Sequence, residues 1–187
     1  MLHHKLIAGE IPGTYLVTEL INEEDLLAIA QAVARQNLAK GDAITDKHLA
    51  HQTLQGLLQT RDREVFAALF LDNQHRVLVY EELFLGTLSA ATVYPRDVVK
   101  RALHHNAAAL MLVHNHPSGY PEPSQADIEI THRLQSVLKL VDIRLLDHLV
   151  VATEGIVPLA DRGGWVNQVG LITLAVVQSP FLLNSAA

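Results

Sequence analysis

Residues 113–127 read VHNHPSGYPEPSQAD. The run ALMLVHNH at 109–116 is apolar and of strand length, so the quoted stretch opens at the end of a short buried strand. Side chains two apart on a strand point to one side, so His114 and His116 face together and Asn115 faces away. Pro117 and Gly119 then turn the chain, and Pro121 and Pro123 stiffen it. Ser124 opens a helix, with Asp127 in its first turn, where the helix dipole favours a carboxylate. If the loop folds back, Asp127 approaches the two imidazoles. Two neutral imidazoles and one carboxylate form a plausible zinc set. Three protein ligands leave a fourth position for water, the arrangement of a catalytic rather than a structural site. The same letters carry a plainer reading, because Ser-x-x-Asp at a helix start is a capping box without any metal. The two readings are compatible, since Ser124 can cap the helix while Asp127 binds.

Outward from this loop, the pattern is mixed. The spacing of Leu26, Ile29, Ala30 and Val33 predicts a helix over 23–39, with Asn22 as its cap and Glu23, Glu24 and Asp25 in its first turn. KGDAITDK at 40–47 reads as a loop, and 48–60 as a second helix. Residues 1–20 show no clean period. VFAALFL at 65–71 is a continuous apolar run, the mark of a strand buried on both faces. DNQH at 72–75 is turn material and RVLVYEELF a partner strand, which makes a hairpin. LSAATVY at 88–94 is another strand candidate. Pro95 stands where a helix begins and RDVVKRALHHNA continues it. Residues 124–140 form an amphipathic helix with Ile128, Thr131, Leu134, Val137 and Leu138 on one face. Strands at 143–153 and 155–160 close a mixed α/β or α+β domain from about 60 to 165.

Composition bounds the function. The chain of 187 residues is 49% apolar and 18% charged, as suits a globular protein with a real core. Its net charge of -6 argues against a protein that lives by neutralising phosphates. There is no cysteine, which excludes disulfides, iron–sulfur clusters, Cys-type zinc sites and a cysteine nucleophile. Any metal ligands must come from the 11 histidines and the carboxylates. No secretory signal is expected at the N-terminus. VGLITLAVV at 169–177 is about half the roughly 20 apolar residues that a membrane span needs. The expectation is a soluble cytoplasmic protein.

His114-Asn115-His116-Pro117, seven residues from Pro117 through Pro123, then Ser124-Gln125-Ala126-Asp127, resembles the JAMM metal motif of the JAB/MPN domains. The wider stretch 93–127, with FLGT before it and LLDHLVV after it, is similar to the RadC proteins, a bacterial branch of that group. The resemblance covers about 60–165. It implies a curved mixed β-sheet flanked by helices, of the cytidine-deaminase-like kind. The division it suggests is a helical N-terminal extension at 1–60, a JAB/MPN domain at 61–165 and a tail at 166–187. It implies that His114, His116 and Asp127 hold one zinc ion per chain, and that Ser124 helps to stabilise the oxyanion. A metal-activated water needs a general base, and Glu64, Glu81, Glu82, Glu122 and Glu129 all compete on the residues alone. The resemblance selects Glu64, because the family's glutamate directly precedes the first buried strand. Asp147 and His148 match the RadC pattern and are candidates for a supporting pair that orients the site. The implied activity is a zinc metallopeptidase or isopeptidase acting on a peptide or an isopeptide-linked protein.

Other residues read more plainly. Arg96, Lys100 and His104, with Arg101 beside them, are the best candidates for a nucleic-acid contact and equally an ordinary solvated helix face. His104 and His105 suit a helix C-terminus. His132 is expected on a solvated face, His3 and His4 read as terminal ornament or chance metal binders, and Trp165 reads as a packing anchor rather than a binding platform. The alternative functions are a DNA-repair-associated nucleic-acid-binding or metal-dependent nuclease module and a non-catalytic interaction scaffold. The RadC pattern carries a DNA-binding helix-hairpin-helix region before the JAB domain. Residues 1–60 lack its Gly-hairpin signature, so nucleic acid is disfavoured. The apolar tail would promote self-association, which makes a homo-oligomer compatible with the sequence.

Overall fold

The continuous apolar runs at 65–71 and 109–115 are neighbouring strands inside a five-stranded sheet. The computed structural model describes residues 3–38, 41, 47–86 and 93–162. The elements are β1 (Leu6–Ala8), β2 (Tyr15–Val17), α1 (Glu23–Asn37), α2 (Lys47–Leu58), β3 (Val65–Leu71), β4 (Val77–Leu85), α3 (Pro95–His104), β5 (Ala109–Asn115), α4 (Gln125–Lys139), β6 (Arg144–Ala152) and β7 (Gly155–Pro158). A 3-10 turn at Leu159–Asp161 follows. The strand expected at 88–94 falls largely outside the described residues, as do most of the 40–47 loop, Trp165 and the tail 166–187.

The sheet order is β4-β3-β5-β6-β7. β5 and β6 run parallel with α4 between them in sequence, and the other pairs are antiparallel, so the sheet is mixed. Register shifts between Phe66 and Ala67, Phe70 and Leu71, and Leu110 and Met111 bend the strands. Every residue of β3 and β5 is buried. The reason is that both faces are covered. Val65, Ala67, Leu69 and Leu71 pack with Leu54, Leu57 and Leu58 of α2. Phe66, Ala68 and Phe70 pack with Val98 and Ala102 of α3 and Leu134 and Leu138 of α4. A strand buried on both faces has no polar face to alternate, so it reads as an unbroken apolar run.

The N-terminal segment differs from a purely helical extension. It opens with the β1–β2 hairpin, paired from Leu6↔Val17 to Ala8↔Tyr15. Each strand is three residues long and largely exposed, so neither prints an alternating pattern. Asn22 and Asp25 form a capping box at the start of α1. Asp25 also takes the Lys5 ammonium at 2.6 Å, which ties the hairpin to the helix. α1 is largely exposed, with Leu26 56% exposed. α2 behaves differently: although it lies before residue 60, Leu54, Leu57 and Leu58 belong to the core of the sheet, while Leu49 stays half exposed.

Candidate metal centre

The even-numbered side chains of β5 point to the α3/α4 face, and the last of them is His114, fully buried against Phe66. His116 follows just past the strand end, with its backbone N–H on the Val151 carbonyl at 2.8 Å. The loop then returns. Gly119 donates to the His116 carbonyl at 3.1 Å, and its carbonyl accepts from Glu154 N–H at 3.1 Å. Gly119 has φ +93°, a backbone region that strains any side chain, and a Cβ there would meet Thr153 Oγ1 at 3.1 Å. Arg162 pairs with Glu122 across the same loop. Ser124 caps α4 in a reciprocal box: Asp127 N–H donates to Ser124 Oγ at 3.2 Å, and Ser124 N–H donates to Asp127 Oδ2 at 2.7 Å.

This path brings three side chains to one point. His114 Nε2 and His116 Nε2 are 3.0 Å apart. Asp127 Oδ1 lies 3.3 Å from His114 Nε2, and Oδ2 lies 3.5 Å from His116 Nε2. One ligand atom from each of the three falls within 4.8 Å of the others, and no other such group of three converges among the described residues. The outer nitrogens face polar atoms. His116 Nδ1 is 3.0 Å from the Tyr120 carbonyl, which can only accept, so Nδ1 carries the proton. His114 Nδ1 is 2.9 Å from His148 Nε2. Two imidazole nitrogens and a carboxylate turned toward one another call for a positive charge between them, a proton or a metal ion. The donor set therefore fits a metal.

The electrostatics agree. Burial opposes the charged form of Asp127, but its contacts with His114 and His116 and the hydrogen bond from Ser124 outweigh it and hold the carboxyl well below its usual range. The hydrogen bond to Asp127 raises the pKa of His116 against burial, helped by the Tyr120 carbonyl and the charge of Glu64. Burial pushes His148 well below the ordinary histidine value, and the neighbouring His114 adds to this.

The competing glutamates separate cleanly. Glu81 is bound by Arg101 and lies 3.0 Å from His105, Glu82 pairs with Arg61, Glu122 with Arg162, and Glu129 accepts from Gln125 at 3.2 Å. Glu64 precedes β3, where Phe66 pairs with His114. Glu64 stands just before that paired stretch, and its charge is felt at His116. Ser124 stands at the rim, with its hydroxyl on Asp127 Oδ2 at 2.6 Å.

Asp147 and His148 part company. His148 lies on the side of the converging three, against His114. Asp147 points to the other face, where Oδ1 accepts from His148 N–H at 2.8 Å and Ala160 N–H at 3.1 Å, and Oδ2 lies 3.6 Å from His51 of α2. On α3, Arg96, Lys100 and His104 are exposed, while Arg101 turns to Glu81. His132 is exposed, and His3 lies 3.6 Å from Asp25, away from the three ligands.

Two residues went unassigned in the sequence reading. Asn115, facing away from the ligands, accepts Val65 N–H at 2.8 Å and donates to the Arg63 carbonyl at 3.1 Å. Thr131, read only as one member of an apolar helix face, is buried against His148. The signal for each was a polar residue at a position that the pattern marks as buried.

The RadC-like JAB domain description matches residues 44–164. A UPF0758 protein of Cellvibrio japonicus is 52% identical over 147 residues, covering 79% of this chain and 66% of that protein. A UPF0758 protein of Vibrio parahaemolyticus is 56% identical over 141 residues, covering 75% of this chain and 62% of that protein. The chain thus spans just under two thirds of the length of the curated relatives it matches. Among the described residues no helix is long and apolar enough to cross a membrane.

Proposed function

The chain belongs to the RadC-like JAB domain family, and from that premise we propose that it is a zinc-dependent hydrolase of amide or isopeptide bonds in a peptide or protein substrate. The observation that carries the reading is the convergence of His114 Nε2, His116 Nε2 and the Asp127 carboxylate, each imidazole anchored through its other nitrogen. Two imidazoles and one carboxylate suit zinc with room for a further ligand. Bound there, zinc supplies Lewis-acid polarisation of a carbonyl and an acidified water.

The chain's own residues supply the rest. Glu64, whose charge reaches His116, takes a proton and delivers it to the leaving amine. Ser124 has one hydroxyl proton, which rests on Asp127 Oδ2. Turning that proton outward gives a donor for the developing oxyanion, while Oγ still accepts the Asp127 N–H and keeps the helix capped. Asp127 enters the reaction as a carboxylate, in keeping with its lowered pKa. No covalent attachment of substrate to the protein is needed.

The test is metal content of untagged protein, followed by cleavage of isopeptide-linked substrates. One zinc per chain, lost in both His116→Ala and Asp127→Ala, supports the centre. Cleavage lost in Glu64→Gln with zinc retained supports the hydrolase. Folded wild-type protein that takes up no zinc near neutral pH removes the reading.

A further inference from the structure

Thr131 lies one turn beyond Asp127 in α4, in a row with the buried leucines 134 and 138. A hydroxyl in such a row needs partners, and it has two. Thr131 Oγ1 is 2.5 Å from the Asp127 carbonyl and 2.5 Å from His148 Nδ1. We propose that Thr131, acting through His148, is the positioning residue that decides which nitrogen of His114 is offered to a metal. The inference rests on the metal-centre reading for its purpose, but its geometry stands alone.

Each assignment forces the next. A carbonyl oxygen only accepts, so the threonine proton goes to Asp127. Oγ1 then has only lone pairs for His148, so His148 Nδ1 carries a proton. In the neutral ring Nε2 is therefore an acceptor. It lies 2.9 Å from His114 Nδ1, so His114 must donate from there. His114 Nε2 is left with its lone pair, and this is the atom that faces His116 and Asp127. The chain begins at the backbone of Asp127 and ends on an atom aimed at the side chain of Asp127. One threonine thus sets α4 in register with β5 by way of β6. Partners of this kind fix the tautomer and ring orientation of metal-binding histidines generally.

Thr131→Val keeps shape and burial but deletes both hydrogen bonds. His148 is then released to place its proton on Nε2, which would push the His114 proton onto the metal-facing nitrogen. Thr131→Ser keeps the hydroxyl. The experiment reads imidazole tautomers by long-range proton–nitrogen correlation in the metal-free protein, in mildly alkaline buffer, and zinc affinity by competition with a chromophoric chelator.

The expected result is His114 protonated on Nδ1 in the wild type and in Thr131→Ser, and shifted toward Nε2 protonation in Thr131→Val. Zinc affinity should fall about 10- to 100-fold in Thr131→Val alone. A folded Thr131→Val with unchanged tautomer and unchanged zinc affinity overturns the proposal and leaves the metal centre standing. If Thr131→Val does not fold, the wild type decides, since His114 protonated on Nε2 there overturns it. A wild type that binds no zinc defeats the metal reading instead, and the tautomer comparison still judges the chain of hydrogen bonds.

Discussion

The Asn115 side-chain oxygen accepts the Val65 backbone N–H at 2.8 Å, which fastens the start of β3 to the end of β5, between His114 and His116. The Asn115 amide also holds the Arg63 carbonyl, so the residues on both sides of Glu64 are tied to β5. Replacing Asn115 with Leu strands a buried donor and a carbonyl at a cost of about 1–3 kcal/mol. We expect urea unfolding to register that loss. Zinc affinity should stay near wild type, because the ligands are untouched, while turnover falls as Glu64 loses its place.

Glu64 and Ser124 should fail differently. Glu64→Gln should lower amide hydrolysis by about a hundredfold or more, the usual worth of a general base, with stability and zinc content unchanged. Ser124→Ala removes the cap of α4 and should cost about 0.5–2 kcal/mol of stability. It also removes one hydrogen bond from Asp127, so zinc binding should weaken as well. Paired denaturation and metal titrations separate the two patterns.

Metal uptake should depend on pH in a stated direction. In the metal-free protein the pKa of His116 is raised by Asp127, so a proton competes for the site. Zinc affinity should be level above that raised pKa and fall as pH drops through it, with proton release on binding. Asp127, whose pKa is depressed, adds no slope in the neutral range. For folding the sign is opposite. The proton shared by His116 and Asp127 stabilises the metal-free fold below the unfolded histidine pKa, and that contribution is lost as pH rises through the raised one. Calorimetric titration in buffers of different ionisation heat reads the proton count.

α2 should prove integral to the domain. Leu54 is fully buried among sheet residues, so Leu54→Ala should cost about 2–5 kcal/mol. Leu26 in α1 is 56% exposed, and Leu26→Ala should change stability by no more than about 0.5 kcal/mol. Equal losses at both positions in chemical denaturation would contradict this division.

The strands and helices that position the site were legible because each buries a face. β3 and β5 print unbroken apolar runs, and α4 prints a helical row. The β1–β2 hairpin was not legible, since three-residue strands without a buried face leave no period. His114, His116 and Asp127 stood out by spacing along the chain. Asn115 and Thr131 did not, because their partners lie on other strands and segments. The pair at 147–148 shows the limit in miniature. Adjacency in sequence suggested one role, yet strand alternation sends His148 toward His114 and Asp147 toward α2.

The sequence by itself determined the mixed α/β class, the family likeness and the three converging side chains, because these depend on local periodicity and on spacing within one loop. Only the tertiary structure decided the rest. It brought the charge of Glu64 to bear on His116 while the four other glutamates took other partners, it bound Ser124 to Asp127, and it ran a hydrogen-bond chain from Thr131 through His148 to His114. Those relationships are distances between atoms far apart along the chain. Strand register and helix packing fix them, and neither is written in any single stretch of residues.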